Sequence, residues 1–550
     1  MDKIEIPKPN IVDRIVEYFS PVKAQRRMRA RVFMSLAGGY AGASPSRRSV
    51  SSWRPTQMDQ DSALIPDLAS LRTRSRDLVR NAPLAAGAIN TTCTHVVGTG
   101  LRMEASLDRS ILNISDEEAN EWESNTEREF RLWANSQYCD IRKTQNFLTI
   151  QDLVFRQTLE NGEVFVALPR RSPTYNIPYS LRIQLIESDR ICNPDHKPDT
   201  EKIIAGVERD EDGAPVAYHI LNRHPGNLLF LGENKWQRVP AFGDRTGLRN
   251  VLHPYVMKRP GQTRGIPFLA PVIETIKQIT RYTEAEIMAA VVSGFFTVFI
   301  KSETGMGFAP MAGEGTVDSG EASTDEEIRL GNGAVVSLRP SESIETADPS
   351  RPNSSFDPFL KSILQQVGIA LEIPFEVLIG HFSASYSASR AALLEAWRFF
   401  KGRRFWLASV FCQPVYESWL YEAVSIGRIR APGFFANPVI RQAYCGAIWV
   451  GDAPSQIDPV KEVEAAQKRV EFGFSTMDEE TVALTGGDFE TNYPKMLKER
   501  KMMKKAGMWI RAEEKANPQL LLPESERIRK IPAGVPTPVE IKEERKDETA

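Results

Sequence analysis

PVIETIKQITRYTEAEIMAAVVS, running from Pro271 to Ser293, is where the chain changes character. Val272, Ile276, Ile279, Ile287 and Ala290 return near one helical stripe, and Glu274, Lys277, Arg281 and Glu284 fall near another. Pro271 suits a first helical turn, where a missing N–H costs nothing. The stretch predicts a helix of roughly 35 Å at ~1.5 Å per residue. It stands between a β-prone region upstream and a small β unit downstream, which makes the chain α+β.

Downstream, FFTVFIKS (295–302) reads as a strand and GNGAVVSLRP (331–340) as its partner. Between them, residues 303–327 hold Glu303, Glu314, Asp318, Glu321, Asp325, Glu326 and Glu327 with no Lys or Arg, in a Gly/Ala/Ser-rich setting that predicts a projecting loop. FDPFLKSILQQVGIALEIPFEVLIG (356–380) is a second helical segment, which Pro374 should stop. SASYSASRAALLEAWRFF (383–400) follows, a serine-rich loop running into a third helix from about Ala391 towards Val424. Ser387 or Ser389 is the expected N-cap, a hydroxyl accepting an orphan N–H. Further helices are expected over 457–510. Beyond Asn517 the chain is Pro- and charge-rich and is expected to be disordered.

Upstream, GEVFVALPR, YSLRIQLIESDRI, IIAGVERDEDGAPVAYHIL and RNVLHPYV are β-prone runs, with Asp212-Gly213 as a hairpin signal. Leu64, Leu68, Leu71, Leu78 and Leu84 recur at roughly helical spacing with arginines between them, and Pro83 marks a break and restart. The N-terminal stretch carries Lys23, Arg26, Arg27, Arg29, Arg31, Arg47 and Arg48 with no acid among them, which suits a polyanion or scaffold contact or a solvated arm.

Composition removes several function classes. A net charge of −2 over 550 residues argues against a uniformly basic DNA binder. Cys93, Cys139, Cys192, Cys412 and Cys445 are scattered, odd in number and without a CxxC, so neither a disulfide framework nor a zinc knuckle is expected. Acids at Asp2, Glu5, Asp13 and Glu17 replace the apolar core of a signal peptide. The apolar run Ile287–Ile300 is too short to span a bilayer. A soluble, cytoplasmically assembled protein without membrane contact is expected. No P-loop, HExxH, GxSxG or EF-hand motif occurs, and no histidine pair has metal-ligand spacing, so no cofactor, metal or catalytic residue is expected. A serine hydrolase built on Ser387 and His381 would need a third group to orient the base, and nothing in the sequence supplies one.

An ordered set of stretches resembles the lambda-type family of tailed-phage portal proteins. It comprises SSWRPTQMDQDSALIPDLASLRTRSRDLVRNAPLAAGAINTTCTHVVGTGLR (51–102), LIESDRI, GVERDEDGAPVAYHI, VMKRPGQTRGIPFLAPVI (256–273), GIALEIPFEVLIGHFSASYSASRAALLEAWRFFKGRR (368–404), PVYESWL and IDPVKEVEAAQKRVEFGFSTMDEE. The likeness covers about residues 50–490. The family's serine motif is more compact, of the form YSSAR, where this chain has YSASR at Tyr386–Arg390, which leaves the cap residue open.

The resemblance implies a portal-type architecture: a β-rich wing, long stem helices, a small clip and a helical crown, assembled into a ring, normally a dodecamer. Its expected parts are a flexible basic arm (1–50), the wing (51–265), a first stem helix (266–294), a clip (295–350) with acidic loop 303–327, and a second stem helix (351–380). A tunnel loop with its following helix (381–440), crown-side helices (441–512) and a disordered tail (513–550) complete the order. It also implies a virion protein at one capsid vertex, through which double-stranded DNA is packaged and ejected without sequence preference. Implied partners are further copies of the chain, the terminase large subunit, the major capsid protein and scaffold, and head-completion or adaptor proteins. Ser383, Ser385, Tyr386, Ser387, Ser389 and Arg390 are the implied channel residues. The seven acids of 303–327 are the implied terminase contacts. Another head–tail connector that conducts no DNA is the alternative.

Overall fold

The structure, a computed structural model, describes residues 11–36, 41–43, 47–227, 229, 232–294, 298–302, 342–346, 356–381, 386–454, 459–487 and 489–506. The acidic loop 303–327, the stretch 331–340, Ser383, Ser385 and the tail 513–550 lie outside the described residues. The chain divides into two compact units, residues 1–68 with 257–263, and residues 69–256 with 264–550.

In the first unit the basic arm carries helices α1 (Ile11–Phe19) and α2 (Pro21–Leu36), where the sequence suggested flexible chain. α1 repeats apolar residues at helical spacing, and Pro21 opens α2 at the position where proline is tolerated. Asp61 accepts from the Thr263 N–H at 2.8 Å and ties the 257–263 segment to the start of α3 (Gln60–Asn81).

The second unit begins within α3. The helix ends at Asn81, and Pro83 starts α4 (Pro83–Val96) as the first-turn residue that the break predicted. Then come β1 (Arg102–Ala105), the short α5 (Arg109–Leu112), α6 (Asp116–Ala134) and α7 (Phe147–Asn161). Ser115 and Glu118 form a capping box at the start of α6, and Asn146 with Thr149 does the same for α7. Six short strands and one longer one follow: β2 (Phe165–Ala167), β3 (Gln184–Ile186), β4 (Ile203–Ile204), β5 (Val207–Arg209), β6 (Pro215–Leu221), β7 (Trp236–Pro240) and β8 (Val251–Leu252). They form an antiparallel sheet in the order β3-β2-β8 and another in the order β4-β5-β6-β7. Gly213, at φ +85°, turns β5 back onto β6, as Asp212-Gly213 predicted. Phe165, Ile186, Ile191, Val207, Tyr218, Ala241 and Val251 form a small core for this β-rich part.

α8 (Ile273–Gly294) is the helix that Pro271–Ser293 predicts, entered through one 3₁₀ turn at Ala270–Val272. The strand read from FFTVFIKS is β9 (Val298–Ser302). Its antiparallel partner is β10 (Glu342–Thr346); the expected partner 331–340 lies outside the described residues. The ladder uses the alternating stretch Glu342, Ser343, Ile344, Glu345 and Thr346. α9 (Phe356–Leu371) returns along α8. Tyr282 meets the rings of Phe356 and Phe359 at 5.6 and 5.5 Å, and Val367 and Leu371 reach the core that holds Val272.

Pro374 stops α9 and caps α10 (Phe375–Ile379). α11 (Tyr386–Leu407) then runs through a π-helical segment, Ala408–Cys412, into α12 (Gln413–Ser425). Pro414 has no N–H for the helical ladder, and the register shift comes just before it. α13 (Pro438–Tyr444), β11 (Ala447–Val450), α14 (Pro459–Glu471), α15 (Met477–Thr485) and α16 (Phe489–Lys505) complete the described chain, and β11 pairs with β1. The main core centres on Phe130, Trp133, Phe147, Phe411, Tyr416, Trp419 and Trp449, whose rings meet, mostly edge-on or tilted, at 5.1 to 6.5 Å. Among the described residues no helix is long and apolar enough to cross a membrane, and all five cysteines are free thiols.

Candidate functional site

The serine stretch is more helical than its composition suggests. α11 begins at Tyr386, so Ser387 and Ser389 sit inside its first turns rather than capping a helix from Ala391. Tyr386 to Arg390 contains no Gly or Pro, and one alanine separates the two serines, so nothing local stops the helix from extending back. Of the expected loop 381–390, residues 386–390 are helical and 382–385 lie outside the described residues. Ser389 and Arg390 are half-buried. Arg390 Nη2 lies 3.7 Å from Glu462 Oε1 of α14, so its carboxylate partner is within the same chain.

The rest of α11 is pinned from behind. His95 of α4 stacks on Phe400 at 4.8 Å and meets Trp397 edge-on at 6.0 Å. Arg404 donates from Nε to Val96 O at 3.0 Å and from Nη2 to His95 O at 3.1 Å. A guanidinium on the last carbonyls of α4 satisfies orphan acceptors and suits the negative end of that helix. Burial, with the Arg404 charge nearby, lowers the His95 pKa, so the ring is a neutral aromatic plate.

A second constellation escaped the sequence reading. Glu163, just after α7, is fully buried among Arg72 of α3, Arg264 and His253. Arg264 Nε donates to Glu163 Oε1 at 2.7 Å, and the Gly265 N–H donates to Oε2 at 2.7 Å. His253 Nε2 lies 2.8 Å from Oε2 and Arg72 completes the set. Burial alone would raise the Glu163 carboxyl. The Arg264 and Arg72 charges and the His253 hydrogen bond override it and hold the group well below the usual carboxylate range. Burial lowers the His253 pKa, so this ring is neutral and must donate from Nε2 to the carboxylate. Burial brings Arg72 down to about 10, which leaves it charged.

Arg264 also donates to Ser188 O at 2.9 Å, to Ile191 O at 3.1 Å and to Ala205 O. One side chain thus joins the strands to the segment that leads into α8. Arg72, Ser75 and Arg76 bond the carbonyls of Glu160 and Asn161 and the Asn161 side chain, closing the C-terminus of α7. Gly162 and Gly265 let the two backbones meet. A Cβ on Gly265 would lie 2.1 Å from Gly162 O, and one on Gly162 would lie 2.4 Å from the Ile266 carbonyl carbon. The arginines among the leucines of α3 and the TRG of 263–265 were visible signals, but no local pattern links Glu163 to residues about a hundred positions away.

A family model described as "Phage portal protein, lambda family" matches residues 46–404. The chain belongs to the lambda family of phage portal proteins. The match takes in the whole ionic centre, α8, α9 and α11 as far as Arg404. This portal protein is 27% identical over 496 residues to Portal protein B of Escherichia phage lambda, covering 86% of this chain and 91% of that one. It is 27% identical over 494 residues to the portal protein of Escherichia phage N15, with the same coverage. A chain in the neck of a native gene transfer agent particle aligns over 78% of this portal protein and 95% of that chain, at 12% identity and a TM-score of 0.38. Among the described residues of this portal protein no group of three His, Cys, Asp or Glu side chains is arranged to hold a metal ion.

Proposed function

We propose that this portal protein closes into a ring of twelve at one capsid vertex, and that the phage genome enters and leaves through its bore. The observation that carries the ring is apolar surface that a lone chain leaves in water. Ile287, Met288 and Val291 of α8 are 62%, 61% and 48% exposed. Their spacing puts them on one side of the helix, and α9 adds exposed Phe359 and Ile369. Clustered large apolar side chains mark an interaction surface, and a closed ring offers every such patch an identical neighbour.

In this reading α8 and α9 are the paired stem. The ribbon β9–β10 carries the clip, where Glu303, Glu314, Asp318, Glu321, Asp325, Glu326 and Glu327 would meet the terminase large subunit through opposite charge. The wing is residues 51–265, and α14, α15 and α16 belong to the crown side. Ser383, Ser385, Tyr386, Ser387, Ser389 and Arg390 would face the bore. A conduit must pass phosphates without holding them, because each tight Lys or Arg contact adds a salt-dependent well. Short hydroxyls and a single arginine per subunit keep those contacts weak. The protein acts as a structural channel, not an enzyme. It is assembled in the host cytoplasm, where scaffold and major capsid protein bind it, and head-completion proteins take the terminase's place after packaging.

Light scattering behind a sizing column tests this. Twelve copies of the 61.7 kDa chain give about 740 kDa, and end-on negative-stain averages should show a hole wide enough for a DNA duplex. Met288→Glu, which buries a charge in the subunit contact, should leave a folded chain that no longer assembles. A wild-type chain that stays at 61.7 kDa with capsid scaffold present would sink the proposal.

A further inference from the structure

The β-rich part holds a cavity of about 490 Å³ beside strand β3. Ile150 and Leu153 of α7 and Leu185 and Ile186 of β3 form apolar walls, while Arg142, Arg190, Arg223 and His224 make the lining basic. β3 is the edge of its three-stranded sheet. The bridge from Asp140 meets the chain beside it only at Ile183, so among the described residues no strand runs along the outer side of Gln184–Ile186.

Asp140 and Glu187 also line the cavity, and Asp189 lies beside His224. The Asp140 carboxylate accepts from the N–H groups of Arg142 and Thr144, each at 3.1 Å, and from the Thr144 hydroxyl at 2.9 Å. Glu187 and Asp189 lie 3.7 and 3.6 Å from His224, and Asp189 also pairs with Arg76. Among the described residues no carboxylate lies within 4.0 Å of the Arg142 or Arg190 guanidinium. Arg190 is half-buried, donating to Leu221 O at 2.9 Å and Asn222 O at 3.3 Å. Burial lowers its pKa; Glu187 opposes the shift and the Arg142 charge adds to it. Arg142, Arg190, Arg223 and His224 outnumber the two lining carboxylates, and the Arg142 and Arg190 guanidinium groups, with no carboxylate within 4.0 Å among the described residues, favour a ligand that brings one. Gln145 lines the cavity, and its Oε1, buried behind that surface, has no hydrogen-bond partner, so a small turn of the side chain would offer a ligand donor an unmet acceptor.

We infer that this cavity is a docking site for an extended acidic peptide laid along the outer edge of β3. Its carboxylates engage Arg142 and Arg190, and a backbone N–H satisfies Gln145. An extended strand supplies all three things the cavity lacks: main-chain groups for the sheet edge, side chains for the apolar walls, and negative charge. Inorganic phosphate fills none of the apolar space, and a rigid DNA duplex does not enter a cavity of this size.

A fluorescein-labelled hexapeptide of alternating leucine and glutamate, titrated with the full chain and followed by anisotropy, tests the site. Saturable binding is expected, at least tenfold weaker for the same peptide with glutamine in place of glutamate. Arg142 is exposed, so Arg142→Glu should fold, with a thermal melt as the check, and bind at least tenfold more weakly. Arg142→Gln should give a smaller loss in the same direction, and Gln145→Leu a severalfold one. The assignment is overturned by any of four results: no saturable binding, equal binding of the neutral peptide, wild-type affinity in Arg142→Glu, or displacement of the peptide by inorganic phosphate or duplex DNA.

Discussion

Glu163 is the side chain on which most of the buried electrostatics turns. It has two guanidinium partners, an imidazole and a backbone N–H, and it is fully buried. Glu163→Gln removes the charge but keeps the shape, leaving Arg72 and Arg264 as buried cations without a counter-charge. Losing one partner of such a set costs about 3–5 kcal/mol, read as a lowered denaturation midpoint. The same centre sets a pH dependence. His253 has a folded pKa below its unfolded value, so unfolding takes up a proton once the pH falls below about 6.5, and stability declines from there. Glu163 has its folded pKa depressed, so its contribution is intact above the unfolded carboxylate value and is lost as the pH falls towards the folded one. His253→Gln, which keeps a donor but cannot titrate there, should flatten the decline between pH 7 and 5. A variant with the wild-type slope would remove His253 from this account.

Elements meet in this protein through close backbone approaches as much as through side chains. Gly162 and Gly213 provide an internal comparison. Both have left-handed backbones, at φ +88° and +85°, but a Cβ on Gly162 collides with the chain at Ile266, whereas one on Gly213 meets nothing within 4 Å. Gly213→Ala should therefore cost only the conformational term, about 1–2 kcal/mol. Gly162→Ala should cost clearly more, because the segment leading to α8 must move. Equal losses in urea unfolding would mean that the backbone contact is unimportant. α11 illustrates the converse. Its serines have modest intrinsic helix preference, yet the helix reaches back to Tyr386 while Arg404, Trp397 and Phe400 hold its other end against α4.

Over the whole molecule, the ring proposal gives the Arg390–Glu462 pair a test that separates two roles. The pair is 3.7 Å long, with Arg390 40% exposed, and partly exposed pairs contribute about 0–1 kcal/mol. Arg390→Ala should therefore fold and form the ring at wild-type mass. If Arg390 lines the bore, the ring will still package DNA with altered yield or retain it less well. Unchanged packaging and unchanged leakage would leave Arg390 as a surface ion pair and nothing more.

Local sequence signals identified α8, α9, the break at Pro83 and the turn at Gly213, because each depends on residues a few positions apart. Helical stripes, a missing proline N–H and a positive φ are local properties. The ordered motifs likewise pointed to the lambda portal family, as the match over 46–404 states. Tertiary structure decided what has no local signature. The partner of β9 is Glu342–Thr346, and helix reaches back through Ser387. A carboxylate at 163 is held by arginines at 72 and 264, and Arg142 and Arg190 share a cavity beside the edge of β3. Buried ions are stable only when partners arrive from distant parts of the chain, and that arrival is set by the packing of helices and strands, which no short window of sequence encodes.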